Sequence, residues 1–123
     1  MVLKHGVFAL IATAAMTSAA AADCRIIAGR FSLSQNTSVS TTGVSTKGAA
    51  CGMNFAKFSS GHFSSVTVAS RPSHGALREF GAMSFVYKPA AGFKGVDRYS
   101  LRICGPDPAG SGCATVTYAI TVE

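Results

Sequence analysis

The stretch that most constrains this chain is Phe85-Val-Tyr-Lys-Pro-Ala-Ala-Gly-Phe-Lys-Gly-Val-Asp-Arg-Tyr-Ser-Leu101. It reads as strand, turn, strand. Phe85 and Tyr87 fall on one side of an extended segment, with Val86 and Lys88 on the other, because side chains alternate across a strand. Pro89 has no N–H to donate and is expected to end the pairing. Gly92 and Gly95 permit backbone angles that a Cβ forbids. Asp97 is expected to accept from a turn amide and fix the entry to the next strand. Tyr99, Leu101 and Ile103 then form a second apolar face, alternating with Arg98, Ser100 and Arg102. Phe93 is expected to pack the turn onto the core. The pattern specifies a fold and contains no chemistry.

The same residues resemble a known signature. Tyr87, Pro89, Phe93, Gly95, Asp97 and Tyr99 are similar to the Tyr-x-Pro-x-x-x-Phe-x-Gly-x-Asp-x-aromatic pattern of bacterial immunoglobulin-like and cadherin-like repeats. Upstream, Arg71-Pro-Ser-His-Gly-Ala-Leu77 is similar to the turn that precedes the signature in those repeats. Downstream, residues 114–122 look like their closing strand. The resemblance covers residues 64–122 and implies a fold while saying little about function.

The rest of the chain reads as short extended pieces. Residues 25–33 suit a first strand. From Ser32 to Thr46, nine of fifteen residues are Ser or Thr, which fits an exposed edge strand or a loop. The β-branched Thr37, Val39, Thr41, Thr42 and Val44 favour extended structure. Asn36-Thr37-Ser38 is a formal N-glycosylation sequon, meaningful only in a host that glycosylates there. Residues 48–61 show no clean period and fit a strand or a short helix. A strand is expected over 65–71 and a turn over 71–75. A hairpin follows, with arms 76–79 and 83–88 around Phe80-Gly81-Ala82. This spacing of short strands predicts an all-β, immunoglobulin-like antiparallel β-sandwich of about seven strands.

Residues 1–22 read as a secretory signal. Lys4 and His5 precede the apolar run Val7–Met16, which is too short to span a bilayer, and Ala20-Ala21-Ala22 offers a cleavage site. Asp23 before Cys24 breaks the pattern of a lipid-anchor signal. Residues 23–123 then form one domain. That domain carries ten basic and five acidic residues, a net charge of +5, with no basic run. Such a charge suits solubility and a weak attraction to anionic surfaces.

Four cysteines after a secretion signal predict two disulfides in an oxidising compartment, periplasmic or extracellular. Cys104 falls on the polar side of its strand with Arg98, Ser100 and Arg102. Cys113 falls on the polar side of the next strand with Thr115, Thr117 and Thr121. Antiparallel pairing around 105–112 would place the two about 4.5–5.5 Å apart at the hairpin mouth, within disulfide range. This predicts Cys104–Cys113 and, by elimination, Cys24–Cys51.

Candidate chemistry is sparse. His62 and His74 each sit beside a glycine, and no Gly-x-Ser-x-Gly elbow accompanies them. A copper-type site would have to combine them with Met53 and Met83, whose spacing forms no compact motif. The acids of the domain are Asp23, Glu79, Asp97, Asp107 and Glu123, too scattered for the oxygen cage that calcium needs. No phosphate-cradling glycine loop is present, and no basic–aromatic interleaving suited to nucleic acid.

The expectation is therefore a secreted or periplasmic binding or structural module without catalysis or cofactor, adhesive or envelope-associated. Its partner would be a protein or an anionic envelope or polysaccharide surface. Arg98 and Arg102 share one strand face, and Lys88 is expected to extend their patch. The competing expectation is a small periplasmic enzyme or metal carrier using His62 or His74.

Overall fold

A computed structural model describes residues 22–27, 30–55, 63–81 and 83–123. The proposed signal up to residue 21 and His62 lie outside the described residues. Alternating burial makes eight strands: β1 (Asp23–Ile26), β2 (Ser38–Thr46), β3 (Cys51–Asn54), β4 (Ser65–Ser70), β5 (Gly75–Phe80), β6 (Ser84–Pro89), β7 (Gly95–Asp107) and β8 (Gly110–Val122). There is no helix among the described residues. A five-stranded sheet has the order β1-β2-β8-β7-β4, and a three-stranded sheet the order β3-β6-β5. The protein is thus all-β with two sheets.

The period-two pattern places the core. Tyr99, Leu101 and Ile103 of β7 are wholly buried, as are Phe85 and Tyr87 of β6. On β8, Ala114, Val116, Tyr118, Ile120 and Val122 point inward beside them. Tyr99 and Tyr118 are directly opposed across the β7–β8 ladder, and Tyr87 reaches them from the other sheet. Ring centroids are 5.2 Å apart for Tyr87–Tyr99 and 5.0 Å for Tyr99–Tyr118, an offset stack that joins the sheets.

Four expectations need correction. Eight strands form among the described residues rather than about seven, because β2 and β3 both form in the poorly patterned middle. The sheets are not wholly antiparallel, since β2 pairs parallel with β8. That pairing puts β2 between β1 and β8, so it is neither an edge nor a loop. The first strand is Asp23–Ile26 rather than 25–33, and residues 33–36 form a turn, with Asn36 in the left-handed region at φ 49°. Pro89 is the last residue of β6, opposite Gly75 of β5, as expected. Its missing N–H is tolerated because β3 reaches only as far as Tyr87 on the other side.

The fourth correction concerns the last hairpin. Residues 105–112 are not a loop: β7 and β8 stay paired to Asp107↔Gly110, around Pro108 and Ala109. The Asp107 carboxylate accepts from the N–H groups of Ala109 and Gly110, at 2.9 and 3.1 Å, and so closes the turn. Gly112 must lack a side chain, since a Cβ there would collide with the Leu33 carbonyl oxygen. The 33–36 turn packs onto this glycine, and Asn36 Oδ1 accepts the Cys113 N–H at 2.9 Å. That bond occupies part of the sequon side chain.

Candidate functional site

The two sheets are unequal, and the inner face of β2 is small. Across the five-stranded sheet, Tyr99 faces Tyr118, and Tyr118 faces Thr41. Large rings give way to a threonine, and the sheets do not close over it. One turn of the ladder away, Gly43 lies under Ile26 and Ile120, whose side chains fill the gap. Thr41 instead lines open space. The result is a cleft of about 950 Å³ between the sheets, within the size range of small-molecule sites.

Its walls are largely apolar. Val116 and Tyr118 form the side next to Thr41, and Cys51, Met53 and Phe55 form the facing side. Cys24, Ile26 and Ile27 border it from β1, Phe31 and Leu33 from the following segment, and Pro106 and Pro108 from the hairpin tip. Phe63 bridges two of these walls, with ring centroids 6.1 Å from Phe31 and 6.0 Å from Phe55. The Cys24–Cys51 disulfide spans the sheets at this border, with a Cα separation of 5.3 Å. It holds β1, an edge strand that hydrogen-bonds only to β2, against β3.

Few polar groups line the cleft, and most are already engaged. The Thr41 hydroxyl donates to the Ile27 carbonyl. The Tyr99 hydroxyl, behind the wall, donates to the Met53 sulfur at 3.7 Å. Asp107 accepts on both oxygens: Oδ1 from the two turn amides, Oδ2 from the Ser34 N–H at 2.9 Å and the Ser32 hydroxyl at 3.2 Å. The Ser34 bonds above all hold its carboxyl well below the usual carboxylate range. Two groups are unengaged among the described residues: the Arg30 guanidinium and the Tyr118 hydroxyl. Burial pushes the Tyr118 phenol up to about 12, so it remains a neutral hydrogen-bond donor.

Of the residues singled out in the sequence, Cys24, Cys51 and Met53 line the cleft, and the signature residues, Arg98 and Arg102 lie elsewhere. Asp97 is buried and serves the turn before β5, not its own: its carboxylate accepts from the Ser73 N–H at 3.0 Å and the His74 N–H at 3.2 Å. It also accepts from the Tyr87 hydroxyl at 2.7 Å and the Arg98 N–H at 3.0 Å. Burial, and then the bond to Asp97, raise the Tyr87 phenol above its ordinary value. Phe93 stacks on the His74 imidazole, centroids 4.3 Å apart. Gly95 takes φ 135° at the start of β7. Tyr87, Pro89, Phe93, Gly95, Asp97 and Tyr99 thus act together as a brace between two turns and the core.

No group of three or more His, Cys, Asp or Glu side chains able to hold a metal occurs among the described residues. Met83 packs against the core, and Met53 lines the cleft. Cys104 and Cys113 are directly opposed and joined, on the outward face. Arg98 and Arg102 share that face, around a Ser100–Thr117 hydroxyl pair at 2.8 Å. Lys88 does not extend the patch. It lies on the outward face of the other sheet, where its ammonium donates to the Gly48 carbonyl at 2.7 Å. Strand parity alone could not say that β6 and β7 belong to different sheets. The cleft was equally hidden, although the run of small residues at 41, 43 and 45 is its one sequence trace. The chain matches no family model, and no curated protein matches it.

Proposed function

We propose that this chain is an extracytoplasmic, non-catalytic binding module of the immunoglobulin-like type, which takes its ligand in the cleft between the sheets. The cleft carries the reading: it is large, largely apolar, and bordered by a disulfide that ties its walls together. The two-sheet all-β fold and the brace around Asp97 support kinship with bacterial immunoglobulin-like and cadherin-like repeats. Two disulfides support a periplasmic or extracellular location. Titration of the purified, disulfide-intact protein with the neutral apolar dye N-phenyl-1-naphthylamine tests the site. Saturable fluorescence enhancement at about one dye per chain is expected, and linear, unsaturable uptake would leave a scaffold without a cleft ligand.

A second reading rests on Arg98 and Arg102, which have no anionic partner among the described residues and stand on one exposed face. An anionic polysaccharide lying on that face would bind weakly and in a salt-sensitive way. The Arg98→Ser, Arg102→Ser double variant should then lose low-salt retention on such a polymer. Retention equal to wild type would remove this reading and leave the cleft untouched.

A further inference from the structure

Resting on the cleft as the ligand site, we propose that its ligand is a long-chain carboxylate, with the alkyl chain in the apolar interior and the carboxylate held at Arg30. Charge complementarity selects the head group. Of the two charged side chains at the cleft, Asp107 has both oxygens filled by four internal donors. A carboxylate has about four lone-pair sites, so Asp107 has little left to offer a ligand. Arg30 keeps all its donors free among the described residues. Its planar fork matches a carboxylate in two parallel hydrogen bonds. The rim is therefore set to accept an anion and not a cation.

The interior gives a second, independent indication. Tyr118 is more than nine-tenths buried, yet its hydroxyl has no partner among the described residues. No unpaired side-chain oxygen or nitrogen is sealed off among those residues, so this hydroxyl is reached from the cleft. Cleft water reaches it, and a ligand oxygen replaces that water where a bare hydrocarbon does not. The aromatic run Phe31–Phe63–Phe55 and Met53 offer a flexible chain a continuous apolar surface. An apolar chain ending in a carboxylate suits both this apolar surface and the free guanidinium of Arg30.

Displacement of bound N-phenyl-1-naphthylamine by myristate and by myristyl alcohol, at neutral pH and low salt, tests the proposal. The two share a chain length and differ in the head, an anionic carboxylate against a neutral hydroxyl. Myristate should displace the dye at a concentration about twofold to fivefold lower, the scale of one ion pair at a solvent-exposed rim. Arg30→Ala should abolish that preference. Arg78→Ala, which removes an equal charge from β5 outside the cleft, should preserve it. Equal displacement by both compounds, or an unchanged preference in Arg30→Ala, would overturn the carboxylate assignment while the cleft still binds dye. Failure of the dye to bind at all would remove the cleft reading and this inference with it.

Discussion

The two ends of the inter-sheet space are built differently. At one end Tyr87, Tyr99 and Tyr118 stack across the sheets and Asp97 ties two turns to the stack through four hydrogen bonds. At the other end Thr41 stands where another large ring would fit, and a disulfide does the bridging that packing does at the first. A small domain buries limited apolar surface, so a hollow needs some other tie. The packed end specifies the fold. The hollow end is free to carry a ligand because a covalent link has taken over its cohesion.

The sharpest way to break this contrast is to damage each end in turn. Asp97→Ala leaves the Tyr87 hydroxyl and three backbone N–H groups without their acceptor, and should cost about 3–5 kcal/mol. Phe63→Ala removes a half-buried ring that borders existing space, and should cost less than about 2 kcal/mol. Urea denaturation of both variants gives the comparison. Equal costs would mean that the hollow end contributes as much cohesion as the packed one.

Removing each disulfide sharpens the same comparison. Cys24→Ser with Cys51→Ser opens a link of sequence separation 27 and should cost somewhat more than about 3 kcal/mol. Cys104→Ser with Cys113→Ser opens a separation of 9 and should cost slightly less than about 3 kcal/mol. Only the first pair lies at the cleft, so dye binding should weaken in that variant and persist in the second. Loss of dye binding in both would show that the cleft depends on the whole sandwich and not on its local staple.

The smallest effect near neutrality belongs to the tyrosines. All three in the chain are buried, and burial raises each phenol above its ordinary value of about 10. A raised folded pKa gives stability that is complete below the unfolded value and is lost as pH rises past it. For Tyr118 that loss runs from about 10 to about 12. Phenolate absorbance should therefore stay low until the protein unfolds in alkali, and then rise for all three at once. A gradual rise near pH 10 with the fold intact would mean that at least one ring of the stack is open to water.

Much of the packed end was legible in the sequence. The alternation in 85–101 and 114–122 is a local property, and it placed Tyr87, Tyr99, Leu101, Ile103 and Ile120 inside, where they are. The even cysteine count and the opposed parity of residues 104 and 113 were likewise local. The partners of Asp97 were not legible. Its identity suggested a turn acceptor, but the turn it serves lies more than twenty residues upstream.

What the sequence by itself determined is which residues face inward along each strand, because the period of two is fixed by the backbone. What only the tertiary structure decided is which faces meet. Strand parity is blind to sheet membership, so Lys88 seemed to join Arg98 and Arg102 but stands on the opposite side of the molecule. The parallel docking of β2 on β8 is a long-range choice, and it alone sets Thr41 beside Tyr118. That juxtaposition of a small residue and a large one leaves the cleft, and no local pattern could encode a space whose walls lie so far apart in the chain.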